Sequence, residues 1–360
     1  MNCIRKLEIF PIIFSFIFLH FLFVEPRPLA PALYVFGDSL FDSGNNNYLP
    51  TLMKANYPPY GLNFPGGATG RFTNGRTVAD FLAEYLRLPY PPPYIGPPRG
   101  NWLTGFNYAS GSCGILPETG SIFGICLNLD AQINLFQLTV ERQLPYNFKS
   151  KKELSKYLAK SIFIVSAGSN DYLNNYLLPY GSSQHYTPLQ FSQLLIDSFF
   201  QKLQRLYNLG ARKVVVFELG PIGCVPYVVN RLKYGHKEKC DDHVNELIFL
   251  FNHRLGNMVQ RLSYTLKGSN FVLGRENRLG YDAIINPAKY GLTDCRNSCC
   301  RTLLNGSTCI PDLTACSDPY GHYFWDDFHP TEAIYSVLAS RCINDTAVCL
   351  PLSFRQLVHV

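Results

Sequence analysis

This sequence has little charge. Asp, Glu, Lys and Arg make up 16% of its 360 residues, and Lys+Arg at 32 against Asp+Glu at 26 leave a formal charge of only +6. A surplus that small, spread along the chain, gives no basic face for nucleic acid, and no such partner is expected. No internal repeat is visible, and no second domain. The one proline-rich stretch, Pro89 to Pro98, is too short to link domains. Hydrophobic residues at 47% supply ample core and exclude a disordered chain. No C-x-x-C pair frames the cysteines between Cys295 and Cys316, so the alternative of a zinc site there lacks its usual frame, and no metal or cofactor is expected.

What is present begins with a leader. Met1 to Lys6 carries two positive charges, and Ile9 to Val24 is apolar with only Pro11, Ser15 and His20 interrupting. A Pro/Ala-rich exit, Pro26 to Ala32, follows. This is the pattern of a secretory signal peptide cleaved between Val24 and Ala32; a single membrane anchor is the rival, since the run is near the lower limit for spanning. Residues 1–28 are therefore set apart as the signal, 29–345 as one domain and 346–360 as a C-terminal tail. The protein is expected to be secreted, with no stable membrane anchor after cleavage. Twelve cysteines fit an oxidising compartment. Cys3 goes with the leader, and the remaining eleven predict five disulfides and one leftover thiol. Cys113–Cys126 and Cys224–Cys240 are expected as local pairs; spacing leaves the other connections open. Asn305-Gly306-Ser307 and Asn344-Asp345-Thr346 are N-glycosylation acceptors, which places both segments on the surface.

Strands alternate with helices along the chain. Ala32–Phe36, Ser161–Ser166 and Lys213–Leu219 read as buried strands, and Asn270–Leu273 as a short edge strand. Helices are expected over Thr77–Arg87, from Thr187-Pro188 to Gly210, from Asp241 to Lys267, and from Pro330 to Arg341. The second has a capping Thr, Pro at its first position and a closing Gly. The alternation predicts an α/β fold, a doubly wound parallel sheet in a single domain, with Tyr290–Pro319 as a disulfide-held irregular insertion.

Polar residues gather where these strands stop. Gly37-Asp38-Ser39-Leu40-Phe41-Asp42-Ser43-Gly44-Asn45-Asn46-Asn47 follows the first strand, the place where α/β folds put their ligands. Taken alone it could be a polar turn. Further on stand Asn107-Tyr108-Ala109-Ser110-Gly111, then Gly168-Ser169-Asn170-Asp171 at the end of a second strand, then Asp326-Asp327-Phe328-His329-Pro330. These four blocks, in this order from Ala32 to Arg341, resemble those of the plant-type GDSL esterase/lipase family within the SGNH hydrolases. Most of that family carries a small residue where Cys113 stands, a departure that a local disulfide would explain.

The resemblance implies an SGNH-type, flavodoxin-like three-layer sandwich and a serine esterase or lipase that cleaves carboxylic esters through an acyl-enzyme. Ser39 would be the nucleophile, His329 the base, and Asp326 the group that orients the imidazole. The oxyanion would meet the N–H of Ser39, the N–H of Gly111 and the amide of Asn170. No G-x-S-x-G occurs in the chain, which argues against the elbow of α/β-hydrolases. The implied partner is a small-molecule or lipid acyl ester. An acyltransferase using the same triad, and a silent secreted binding glycoprotein, are the alternatives. Asp38 and Asp42 are expected to brace the loop, Asn45 to Asn47 to hold it by side-chain turns, and Asp327 to be a solvated neighbour. The oligomeric state is not readable.

Overall fold

A computed structural model of the chain describes residues 27–97, 101–231, 239–302 and 308–360. The leader and the Asn305 acceptor lie outside these residues. Strands are β1 (Leu33–Gly37), β2 (Ile162–Ser166), β3 (Lys213–Phe217), β4 (Asn270–Gly274), β5 (Asp294–Ser298), β6 (His322–Phe324) and β7 (Cys349–Leu350). Helices of six or more residues are α1 (Val78–Leu86), α2 (Leu129–Leu138), α3 (Lys151–Lys160), α4 (Pro188–Asn208), α5 (Asp242–Thr265), α6 (Glu276–Ile285), α7 (Glu332–Asn344) and α8 (Phe354–His359).

The main sheet runs in the order β1-β2-β3-β4-β7 and is parallel except for β7, which pairs antiparallel with β4. β1, β2 and β3 are buried along their whole length, as continuous apolar runs covered on both faces should be. Successive side chains divide between the two faces. Tyr34, Phe36, Phe163, Val165, Val214 and Val216 pack with α2, α4 and α5 in one core. Leu33, Val35, Ile162, Ile164, Val215 and Phe217 pack with α1, α7 and α8 in the other. The expected doubly wound sandwich is therefore observed, with one antiparallel strand added at its margin.

Capping explains where the longest helices start. Thr187 and Gln190 form a reciprocal capping box ahead of α4, and the Asp241 side chain accepts the Val244 N–H at the start of α5.

Two boundaries differ from the sequence reading. β4 is an inner strand, because Leu273 and Gly274 pair with Leu350 and Cys349. That edge lies within residues 346–360, which form part of the fold and not a loose tail. Phe354 and Leu357 of α8 are fully buried, and Cys342–Cys349 ties α7 to β7. An apolar face on so short a segment is visible only once there is a core to receive it.

Among the described residues five disulfides form: Cys113–Cys126, Cys224–Cys240, Cys299–Cys316, Cys300–Cys309 and Cys342–Cys349. Cys295 is the free thiol among the described residues. The two local pairs were expected. Of the cysteines from Cys295 to Cys316, four are joined in two pairs within the insertion, and β5 pairs with β6 just beyond it in a small two-stranded sheet.

The main sheet also fixes where a ligand can bind. β1 is flanked on one side by β2 and on the other by an extended segment at Asn107, with Val35 N–H donating to Phe106 and Tyr108 N–H to Val35. The chain thus leaves β1 in one direction and returns to the opposite side. Such a switch point opens a crevice at the carboxyl ends of the strands.

Candidate active site

Ser39 stands two residues past the end of β1, in this crevice. Gly37 lets the chain leave the strand there. Its φ is +148°, and a Cβ on it would lie 2.1 Å from the Ser166 carbonyl oxygen, so no larger residue fits. Gln132 of α2 clamps the same point: its Oε1 accepts the Gly37 N–H at 2.8 Å and its Nε2 donates to the Gly37 carbonyl at 2.7 Å. Past Ser39 the turn closes with Phe41 and Asp42 donating to the Asp38 carbonyl.

His329 arrives from the far end of the sequence. Its Nε2 lies 2.7 Å from Ser39 Oγ, and its Nδ1 lies 2.7 and 2.8 Å from the two carboxylate oxygens of Asp326. The three-residue spacing of Asp326 and His329 is a local fold in itself. Asp326 Oδ1 also accepts the backbone N–H groups of Phe328 and His329, at 2.9 and 2.8 Å. Asp326 Oδ2 accepts the Tyr60 hydroxyl at 2.7 Å. The carboxylate is fully buried yet surrounded by donors, the condition under which a buried charge is tolerated. α7 begins at Glu332, with Thr331 as its cap, so His329 precedes that helix rather than opening it.

Asn170 lies in the short turn of helix after β2. Its Nδ2 donates to the Cys113 carbonyl at 2.9 Å and its Oδ1 accepts from Asn174 at 2.8 Å, which leaves the second amide hydrogen for another acceptor. Asp171 secures this turn to the 111–119 segment by accepting from Ile115, Leu116 and Thr119.

Gly111 is brought to the site but not in the expected way. Its N–H donates to Asp42 Oδ2 at 3.2 Å, and the residue of this turn that lines the cavity is Ser112. Ser112 holds a left-handed φ of 68°, and its buried hydroxyl has no hydrogen-bond partner among the described residues. Strain of this kind in a non-glycine residue persists only where the surroundings impose it. Gly111 itself is required by packing, since a Cβ there would meet the Phe72 ring at 2.8 Å.

Asp42 braces the loop as expected, also accepting from Gly44, Asn45 and Asn46. The three asparagines do more than form local turns. Asn45 Nδ2 reaches the Asn107 and Ala109 carbonyls, Asn46 Nδ2 the Met53 and Gly111 carbonyls, and Asn47 Nδ2 the Thr69 carbonyl. Asn45 and Asn46 stitch the Ser39 loop to the glycine turn, and Asn47 ties it to the Thr69 segment. Asp327 is buried and bonded to Ser298 Oγ at 2.5 Å, not solvated, because the insertion covers it.

Ser39, Asn170 and His329 face one cavity of about 240 Å³, walled by Phe72, Phe123, Leu173, Ile222, Val225 and Phe328. Two acids also line it. Burial pushes Glu276 of α6 up to about 8, with Asp38 and then Glu218 adding repulsion. Burial likewise pushes Asp38 up to about 7; its Oδ1 accepts the Leu40 N–H at 3.0 Å while its Oδ2 has no partner among the described residues. Near neutral pH Glu276 is therefore mostly protonated and Asp38 about half so.

Sequence reasoning missed Gln132, Tyr60 and Glu276. Gln132 had a signal, a polar residue on the buried face set by Leu129, Ile133 and Phe136. Tyr60 sits in a Gly/Pro-rich loop, and Glu276 in a helix start, with nothing local to mark either.

A mostly parallel sheet covered by helices on both faces, with a serine, a histidine and a buried aspartate joined in series at its switch point, is the architecture of the SGNH hydrolases. The model of the GDSL-like lipase/acylhydrolase family matches residues 33–342, and the chain belongs to that family. It is 44% identical to GDSL esterase/lipase 7 of Arabidopsis thaliana over 93% of this chain and 94% of that protein. It is 41% identical to GDSL esterase/lipase At1g33811 of the same plant, over 93% of each chain. The family makes the protein an ester-hydrolysing enzyme, a carboxylic ester hydrolase whose substrate is a small-molecule or lipid ester.

Proposed function

We propose that the protein is a secreted esterase or lipase that cleaves acyl esters through a covalent intermediate on Ser39. The observation that carries this reading is the unbroken series Ser39 Oγ, His329 Nε2, His329 Nδ1, Asp326, with each link at 2.7–2.8 Å. A serine hydroxyl is a poor nucleophile until a base removes its proton. His329 takes that proton as Ser39 Oγ attacks the ester carbonyl, and Asp326 fixes the tautomer that leaves Nε2 free to accept it. The imidazolium then protonates the departing alcohol. Water repeats the sequence on the acyl-enzyme, releasing the carboxylic acid and restoring Ser39.

The oxyanion of each tetrahedral intermediate is met by the Ser39 N–H, the free amide hydrogen of Asn170 and an N–H of the glycine turn. Ser112 supplies the last of these in this reading, since the Gly111 N–H is engaged by Asp42. Apolar walls around the cavity suit an acyl chain and support a role in lipid breakdown.

Secretion is supported by the leader-like run at Ile9–Val24 and by five disulfides. Residues 1–28 are removed in this reading, and one catalytic domain extends from residue 29 through the folded end of the chain. Asn344 is exposed at the end of α7, as a glycosylation acceptor must be. Among the described residues no helix is long and apolar enough to cross a membrane.

The experiment is hydrolysis of p-nitrophenyl esters of increasing chain length by the mature protein. The reading expects turnover of acyl esters with a chain-length optimum and free acid as product. Transfer of the acyl group to an added polyol in place of water would establish an acyltransferase, and no turnover of any ester would overturn the reading.

A further inference from the structure

Two loops meet at the mouth of the cavity and pair with each other. Thr51 and Gly124 form an antiparallel bridge, Leu52 N–H donates to the Phe123 carbonyl at 2.8 Å, and Ile125 N–H donates to Pro50 at 3.0 Å. Thr51 Oγ1 adds a bond to Phe123 at 3.1 Å. Cys113–Cys126 fastens one loop to the glycine turn. Lys54 fastens the other, its Nζ donating to the carbonyls of Asn46, Asn47 and Leu49 at 2.6, 3.0 and 2.6 Å. The result is a braced ribbon on the rim of the site.

This ribbon is apolar on the outside as well as toward the cavity. Met53, Ile122 and Phe123 line the cavity that holds Ser39. Leu52 is 75% exposed, Ile122 60% and Ile125 59%, with Tyr48 49% exposed at the ribbon's start. A single exposed leucine needs no explanation, but several on one paired ribbon continuous with a catalytic cavity form a contact surface. Charge is missing from it. Residues 119–129 contain no Asp, Glu, Lys or Arg, and the one charge among residues 48–56 is Lys54, whose ammonium is turned into the loop. A surface without free cations has no attraction for anionic headgroups, and its complement is a neutral apolar phase.

We propose that this ribbon seats the enzyme on the surface of a neutral, aggregated acyl ester, with Leu52 and Ile125 entering the acyl layer while Ile122 and Phe123 guide a chain toward Ser39. The proposal rests on the ester-hydrolase reading and adds the physical state of the substrate. Neither Leu52 nor Ile125 lines the cavity, so binding to the phase and turnover in the site are separable.

The test compares the mature protein with its Leu52→Ser/Ile125→Ser variant on dissolved p-nitrophenyl butyrate and on a tributyrin emulsion. The variant should keep its kcat/KM on the dissolved ester and need about tenfold more emulsion surface for half-maximal rate, because two apolar side chains lose their burial. Equal loss on both substrates, or no loss on either, overturns the proposal. Flotation with triolein droplets, using Ser39→Ala protein, keeps this test independent of turnover. The Ser39→Ala protein should float, and Ser39→Ala carrying both serine substitutions should stay in solution. If the mature protein hydrolyses neither ester yet its Ser39→Ala form floats, the ester-hydrolase reading fails and the surface stands. Leu52→Trp gives a further reading, since its emission should shift to the blue on adding droplets; an unchanged spectrum contradicts insertion. A dimer in light scattering that the serine pair dissolves would assign the ribbon to a second copy instead and overturn the proposal.

Discussion

The Tyr60 hydroxyl donates to Asp326 Oδ2 at 2.7 Å and accepts the backbone N–H of Cys309 at 3.1 Å. The disulfide-rich insertion therefore reaches the triad through one buried phenol. Cys299, Cys300 and Cys309 pack with Tyr60, Phe72 and Trp325 in a small core beneath Asp326. Burial first, and the adjacent Asp326 carboxylate next, hold the Tyr60 hydroxyl far above its ordinary range, so it remains a donor at any working pH. Its role is to position Asp326, and through it the imidazole.

Tyr60→Phe removes that donor while keeping the ring. The expected outcome is a kcat roughly tenfold lower with little change in KM, since Tyr60 does not line the cavity. Steady-state kinetics on a dissolved ester decide it. A raised KM at constant kcat would show that Tyr60 shapes the cavity and does not act through Asp326.

Asn170→Ala deletes an amide that already holds the Cys113 carbonyl. Loss of that bond should lower stability by about 1 kcal/mol. Loss of the oxyanion contact should lower kcat by about 10²–10³-fold with a much smaller effect on KM. Urea unfolding and kinetics measure the two separately. A stability loss without the kcat loss would make Asn170 a structural residue only.

Glu276 links stability to pH. Its folded-state value, about 8, lies above its ordinary 4.5, and Asp38 moves the same way from 3.8 to about 7. The folded protein therefore retains protons that the unfolded chain has released. The stability these neutral groups contribute is fully present below about pH 4 and is lost as pH rises through 7 to 8. The thermal midpoint should decline from pH 5 to pH 8.5, and Glu276→Gln should flatten that decline. An identical slope in the variant would mean that Glu276 ionises freely in the folded protein.

The main sheet and the blocks that carry Ser39, Asp326 and His329 are legible in the sequence for different reasons. β1, β2 and β3 are buried on both faces, so each is an uninterrupted apolar run that stops at a glycine or a polar residue. Ser39, Asn170, Asp326 and His329 lie in blocks whose order resembles that of the family. What stayed hidden depends on contacts distant in sequence. Tyr60 and Asp326 are 266 residues apart, and β4 is an inner strand only because Cys349 and Leu350 return to pair with it. The direction of the Gly111 N–H was also beyond reach, since a glycine shows where a turn is but not which of its donors Asp42 will capture.

The central claim is that Ser39, activated by His329, is the group that carries the acyl chain. Labelling with a fluorophosphonate, followed by mass mapping of the modified peptide, tests it most directly. The adduct should sit on Ser39 in the unmodified protein and be nearly absent from His329→Ala, because without the base the hydroxyl keeps its proton. Esterase activity should vanish in step with labelling, and Ser39→Ala combined with His329→Ala should cost little more than either alone. An adduct on any other serine, with activity retained in Ser39→Ala, would contradict the claim.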